Sequence, residues 1–387
     1  MTRFIPVLLT IIIVSCTMAQ KPQTNYDARW KNVDVLLKEK GLTASALKEV
    51  ESIYTLAKKE KQEVQVIKAL LYITEIESQL QEDGDLLSFS KIEAEIKSAN
   101  APVKNLLQSF LATKYLRYFN DNRWKLYDRT DIDIANDNST PVDVLSAEDL
   151  HQKISSLYLQ SLDQKQTLQK TSLSSYDPLI IKGNSRKLRP TLYDLLAHQA
   201  LEYFSSDERD LTKPSYQFEI NDEKAFAPTA IFIKANFPTS DTSSLYYHAV
   251  KLYQELLSFH LNDTDASALL DADLERLEFM HLVSVLQSKG QLYKNALSEI
   301  AKNNSTNEYG GMAMFLVAQL DYNDASHYNP NTSSPALRFA LVGISERLSD
   351  INKKYKVDLP ICEATYNILY DKSAPRLEMK RLAEKLK

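Results

Sequence analysis

The chain has 387 residues, 44% of them hydrophobic and 25% charged, with a formal net charge of −5; that balance excludes a mainly disordered chain and leaves room for a large core. Lysine and arginine are dispersed among aspartate and glutamate with no basic tract to neutralise phosphates, which argues against nucleic acid as a partner. Only 7 glycines occur, which argues against nucleotide-binding α/β folds and all-β folds, since both need glycine for tight turns and positive φ; a chain rich in Leu, Ala, Lys, Glu and Gln suits helices.

The first residues read as a signal peptide. Arg3 supplies the positive region and Phe4 to Val14 the apolar stretch, which is too short to span a bilayer as a mature helix. Two processing sites compete. Thr17-Met18-Ala19 fits small-x-small cleavage before Gln20, and Ile13-Val14-Ser15-Cys16 resembles a lipobox in which Cys16 becomes the lipidated first residue. The expected outcome is export, with membrane attachment only through a lipid on Cys16. The one other cysteine, Cys362, lies among Leu359, Ile361 and Ile368 and reads as a buried structural thiol.

Helical spacing then recurs along the chain. Trp30, Val33 and Leu37 share a face that ends at Gly41, a plausible residue just past a helix C-terminus. Thr43 is expected to cap a second helix carrying Ala46, Val50, Ile53 and Ala57, and Val64 to Tyr72 a third that lasts until Asp83-Gly84. Phe89, Ile92 and Ile96 mark a short fourth, and Asn100 with Pro102 opens a fifth carrying Val103, Leu107 and Leu111. The Asp- and Asn-rich stretch from Asn120 to Val144 reads as a long connection. Ser146 and Asp149 form a capping-box start for a helix to about Gln164. Thr171 to Lys187 is a further irregular stretch, Pro190 opens a helix carrying Leu192 to Phe204, and Ser205 to Asp241 is irregular again, expected to pack through Phe218, Phe226 and Phe232. Helices follow near 243–261, 266–288, 291–302, 309–320, 335–354 and 360–370.

The predicted fold is therefore all-α: stacked α-hairpins, tetratricopeptide-like or irregular, with long irregular connections. The organisation is a signal peptide at 1–19, N-terminal α-hairpins at 20–120, helices with long loops at 121–242 and a C-terminal helical array at 243–387. Trp30, Val33, Leu37, Ala46 and Val50 fall at tetratricopeptide-like offsets, but no 34-residue period recurs.

Motifs that carry chemistry are sparse. Glu148-Asp-Leu-His151 and Glu278-Phe-Met-His281 each place a carboxylate and an imidazole on one helix face, as di-iron bundles require, though such a site also needs glutamates from two more helices. Asp194 and His198 stand at i, i+4, where they would form a helix-surface pair or an acid–base couple. Asp263, Asp265 and Ser267 begin like a calcium loop, but Ala268 and Leu274 occupy the positions that need Gly and Glu. Asp131 and Asp133 lie in a polar loop, and no Gly-Lys-Ser/Thr follows Gly310-Gly311. The 21 tyrosines outnumber the 13 phenylalanines; Tyr115, Tyr118, Trp124, Tyr246 and Tyr247 suit either helix–helix edges or an interface. No catalytic residue, cofactor-binding residue or metal ligand is assigned, no cofactor is expected, and the expected partner is another protein.

Several segments together resemble the N-terminal region of the exported alpha-2-macroglobulin-like proteins of Gram-negative bacteria. They are Asn25-Tyr-Asp-Ala-Arg-Trp30, Lys40-Gly41-Leu42 with Ala46-Leu47, Asn122-Arg-Trp-Lys125, Leu188-Arg-Pro-Thr-Leu-Tyr-Asp194 with Ala197-His198, Tyr216-Gln-Phe-Glu219 with Ala225-Phe-Ala-Pro228, and Asp271-Ala-Asp273-Leu-Glu-Arg276-Leu277. The resemblance implies a helical module that precedes β-sandwich domains in a protease-trapping protein of the cell envelope. The family's trap often uses a Cys-x-Glu-Gln thioester; here Cys362 is followed by Glu363-Ala364-Thr365, so no functional residue carries over. Lys387 is reached before any β-sandwich pattern begins, and the expectation is a non-catalytic scaffold or docking module. The alternative is a helical-repeat binding module of the periplasm or outer membrane that acts alone.

Overall fold

A computed structural model describes residues 25–80, 84–127, 142–181, 183, 186–206 and 216–326. The signal peptide with Cys16, the Asp131–Asp133 loop, the helices expected at 335–354 and 360–370, and Cys362 all lie outside these residues. The described chain is all-α, with no strand among these residues. It divides at Gly84 into two compact units, so the expected boundaries near residues 120 and 242 both fall inside the second.

The first unit holds α1 (Tyr26–Asp34), α2 (Thr43–Glu60) and α3 (Glu63–Leu80). Tyr26, Trp30 and Val33 of α1 close over Ala46, Val50, Ile53 and Ala57 of α2, and Val66, Ala69, Ile73 and Ile76 of α3 complete the cluster. Ala46 and Trp30 belong to this same buried cluster. After α1 the chain widens into a π-helical turn at Val35–Glu39 and stops at Gly41, whose φ of 63° is open to glycine at little cost. Leu42 N–H then closes back on the Leu36 carbonyl at 2.8 Å. That geometry makes Leu42 the N-cap of α2 and Thr43 its first helical residue, with no side-chain cap. The polar tips of the aromatic residues are satisfied at the edge of the core: Trp30 Nε1 donates to Gln65 and Tyr26 OH to Glu60, each at 2.7 Å.

The second unit carries α4 (Gly84–Ser98), α5 (Val103–Leu126), α6 (Ala147–Ser161), α7 (Lys165–Lys170), α8 (Leu192–Phe204), α9 (Thr229–Phe232), α10 (Leu245–His260), α11 (Ser267–Val283), α12 (Lys289–Asn303) and α13 (Glu308–Ser326). Helix α5 runs on through the Asn- and Asp-rich residues to Leu126 because Tyr115, Phe119 and Leu126 continue its buried stripe. Helix α6 begins with the expected capping box, Ser146 and Asp149 exchanging hydrogen bonds at 3.1 and 2.9 Å. Helices α5 and α6 pack on each other, and so do α12 and α13. Helix α8 starts at Leu192 rather than at Pro190, with Thr191 as N-cap. Helix α11 stops at Val283, short of the expected Ser288, because Ser284 turns extended and Val285 N–H leaves to pair with the Ile220 carbonyl at 3.1 Å.

The irregular segment 216–244 packs as expected, with Phe218, Phe226 and Phe232 all buried. Buried backbone without a helical ladder needs other partners, and helical side chains supply them. Gln254 of α10 donates to the carbonyls of Phe232 and Ala235 at 2.9 and 2.7 Å, Asp241 accepts from Phe218 N–H at 3.2 Å, and Arg276 of α11 binds the carbonyls of Ala225 and Ala227.

Candidate functional site

The charged groups that the fold buries most completely include Asp194 of α8, His260 of α10 and Asp273 and Arg276 of α11. The approach to α8 is pinned first: Leu173 N–H bonds to the Pro190 carbonyl at 3.0 Å and Leu192 N–H to the Thr171 carbonyl at 2.9 Å. That bridge presents Thr191 to cap α8. Asp194, the third residue of the helix, turns back so that one carboxylate oxygen accepts from both Thr191 N–H and Thr191 Oγ1 at 2.8 Å. Its other oxygen takes Nε2 of His260, the last residue of α10, at 2.7 Å. The second ring nitrogen of His260 lies 2.7 Å from Asp263 Oδ2. Burial pulls the His260 pKa down, but the hydrogen bonds and charges of Asp194 and Asp263 outweigh it and the net shift is upward.

A second cluster joins the approach to α8 to α11. Arg189 forks onto α11, Nη1 to Asp271 at 2.6 Å and Nη2 to Glu275 at 2.9 Å. Glu275 also faces His198 Nδ1 at 3.0 Å. Burial raises the Glu275 pKa, and the His198 and Arg189 contacts more than reverse this, leaving the carboxyl below its ordinary range. A third cluster is internal to α11 and the segment over it. Arg276, 1% exposed, donates from Nε to Asp273 at 2.7 Å, stacks 4.4 Å from the Phe232 ring, and places its two other nitrogens on backbone carbonyls. Asp273 completes its shell with Thr229 Oγ1 at 2.8 Å.

The residues singled out from the sequence separate. Asp194 and His198 do not pair: a carboxylate at the third helical position caps its own helix, which directs Asp194 to Thr191 and His260 and leaves His198 to Glu275. The two Glu-x-x-His pairs do not converge. The His151 ring is buried 4.4 Å from the Phe119 ring, its Nδ1 on Tyr203 OH at 2.9 Å, whereas His281 stacks on Tyr293 at 4.5 Å. Among the described residues, no group of three or more His, Cys, Asp or Glu is placed to hold a metal ion. Asp263 is taken by His260, and Asp265 accepts from Ser267 N–H at 2.9 Å at the start of α11. Gly310 and Gly311 lie in the first turn of α13. Tyr115 stacks on Phe89 at 4.3 Å, and Tyr246 and Tyr247 meet Phe279 and Phe218 edge-on, so these aromatics serve internal packing; Trp124 is 70% exposed. His260, Arg189 and Glu275 were given no role from sequence. The one local signal for His260 was Asp263 three residues on, at the end of an apolar helix.

Chemically the junction is a lock. Both ring nitrogens of His260 are engaged, and so are Nε, Nη1 and Nη2 of Arg276. A recess of about 220 Å³ opens beside it, walled by Phe226, Pro228, Leu270 and Ile300, with Asp273 and Arg276 on its polar side. No helix of the described residues is long and apolar enough to cross a membrane. No model of a known protein family matches the chain, and neither does any curated protein or solved structure.

Proposed function

We propose that this chain is a non-catalytic helical scaffold and docking module of an exported alpha-2-macroglobulin-like protein of the Gram-negative cell envelope. One observation carries the reading. Several of the segments that bear the resemblance supply side chains or carbonyls that hold the fold together. Leu188–Asp194 supplies Arg189, Thr191 and Asp194, Asp271–Leu277 supplies Arg276 and the two carboxylates that bind Arg189, and Ala225–Pro228 supplies the carbonyls that Arg276 binds. In the first unit, Tyr26, Trp30, Gly41 and Ala46 from the matching segments form the α1–α2 turn and core. The resemblance thus follows architecture and not a reactive motif, which suits a module whose task is to hold a shape. Endopeptidase inhibition, the family role, would belong to domains with trapping chemistry.

The test is twofold. An antibody against this chain should precipitate, from envelope fractions of the native host, a polypeptide whose peptide map continues into β-rich macroglobulin sequence; a mature product ending at Lys387 would defeat this reading and favour the module that acts alone. The purified chain should leave a protease fully active on both large and small substrates. Protection that is selective against large substrates would show that trapping resides here.

A further inference from the structure

We infer that His260 is held as an imidazolium that ties the C-terminus of α10 to both α8 and the loop before α11, and that loss of its Nδ1 proton releases the loop. Geometry carries the charge assignment. A neutral imidazole has one N–H and one lone pair, so it can satisfy only one carboxylate as donor. Here each ring nitrogen lies 2.7 Å from a carboxylate oxygen belonging to a different element, Asp194 at the start of α8 and Asp263 in the loop that follows α10. The ring is 2% exposed, so water does not mediate either contact. His260 is also the last residue of α10, where the helix dipole favours a cation. The surrounding charges are otherwise committed. On α11, Asp271 and Glu275 bind Arg189, with Glu275 also on His198, and Asp273 binds Arg276 and Thr229. From α7, Lys165 pairs with Glu255 of α10. Among the described residues, Asp194 and Asp263 are the carboxylates that hydrogen-bond to the ring.

The two carboxylates differ in freedom. Asp194 is fully buried and also fixed by Thr191, whereas Asp263 is 39% exposed. When pH rises, the proton on Nδ1 passes to solvent hydroxide. Its lone pair then confronts the Asp263 carboxylate, and the side able to move is Asp263. Nε2–H stays on Asp194. The result is a one-sided latch: α8 and α10 remain joined while residues 261–266 lose their anchor.

Nitrogen-detected NMR of the His260 ring in the full chain tests this. Both nitrogens should carry protons at pH 7, and titration should proceed above the ordinary histidine value of about 6.5, leaving the Nε2–H tautomer. Asp263→Asn should lower the midpoint by at least half a unit and, at pH 7, raise hydrogen exchange of the 261–267 amides several-fold after correction for intrinsic rates. A ring that is neutral at pH 7, or a midpoint unmoved by D263N, would overturn the inference. So would Nδ1–H as the surviving tautomer. Asp263 sits on the surface, so D263N keeps the fold; as a second variant, Asp263→Glu should restore protection.

Discussion

Arg276 donates from Nε to Asp273 Oδ1 at 2.7 Å across a single turn of α11, and the pair is almost wholly withdrawn from water. Removing one partner strands the other. Arg276→Met should destabilise the second unit by about 3–5 kcal/mol, because Asp273 keeps a buried charge and two carbonyls lose their donors. Urea unfolding followed by circular dichroism measures it. Adding Asp273→Asn to Arg276→Met should recover part of that loss; a double variant no more stable than the single one would show that the carbonyls of Ala225 and Ala227 dominate.

Two histidines should titrate on opposite sides of the ordinary value. For His260 the folded pKa is raised, so its contribution to stability is complete below about 6.5 and is lost as pH rises through the folded value. For His281, burial in the stack on Tyr293 and the nearby Lys289 charge lower the pKa. The unfolded chain then binds the proton first, and stability falls as pH drops from about 6.5 through the folded value. Stability measured from pH 5 to 9 should therefore decline at both ends. His281→Phe should flatten the acid side alone, and a variant profile identical to the parent's would remove His281 from the account.

Glu275 sets a lower boundary. Its depressed carboxyl stabilises the fold above the unfolded value and ceases to do so as pH falls through the folded one. Acid unfolding monitored by tyrosine fluorescence should begin near pH 4.5 and below, and Glu275→Gln should make the curve shallower. Since Glu275 is 40% exposed, the effect is one of slope more than of size.

Gly310 lies against the carbonyl of Asn304, which already accepts from Asn307 N–H at 2.9 Å. A methyl group there would collide with backbone that cannot rotate away. Gly310→Ala should cost about 1–3 kcal/mol and loosen the turn between α12 and α13, read as faster amide exchange at 304–311. Gly290, which has open space around its Cβ position, is the control: Gly290→Ala should be neutral or slightly stabilising.

In the first unit, Ala46→Leu should cost about 1–3 kcal/mol by overfilling the buried cluster that also holds Trp30, visible as a change in tryptophan emission.

The parts of the fold legible in the sequence are those set by neighbours along the chain. Ser146 and Asp149 are three residues apart, and the capping box they predict is the one that forms. Gly41 was readable because the end of an apolar stripe needs a positive φ. Thr191 and Asp194 carry the same spacing as Ser146 and Asp149, but the adjacent Pro190 is itself a helix-start signal that competes with it. The partners of Asp194 and Arg189 could not be read at all, since His260 lies 66 residues from Asp194 and Asp271 lies 82 from Arg189. Neither periodicity nor capping reports on such distances. The end of α11 was missed for a similar reason: the apolar pattern continues through Val285, and a backbone bond to Ile220, far upstream, decides the matter.

Those separations also fix an order of events. Arg189 and Asp194 leave the ribosome well before Asp271 and His260, while α2 and α3 can pair as soon as Leu80 has emerged. Pairings between distant residues must wait for the intervening chain to collapse. Until α10 and α11 have been made, Asp194 in α8 and Arg189 just before it are charged groups with no long-range partner, so this part of the second unit closes only after the chain to Glu275 is complete.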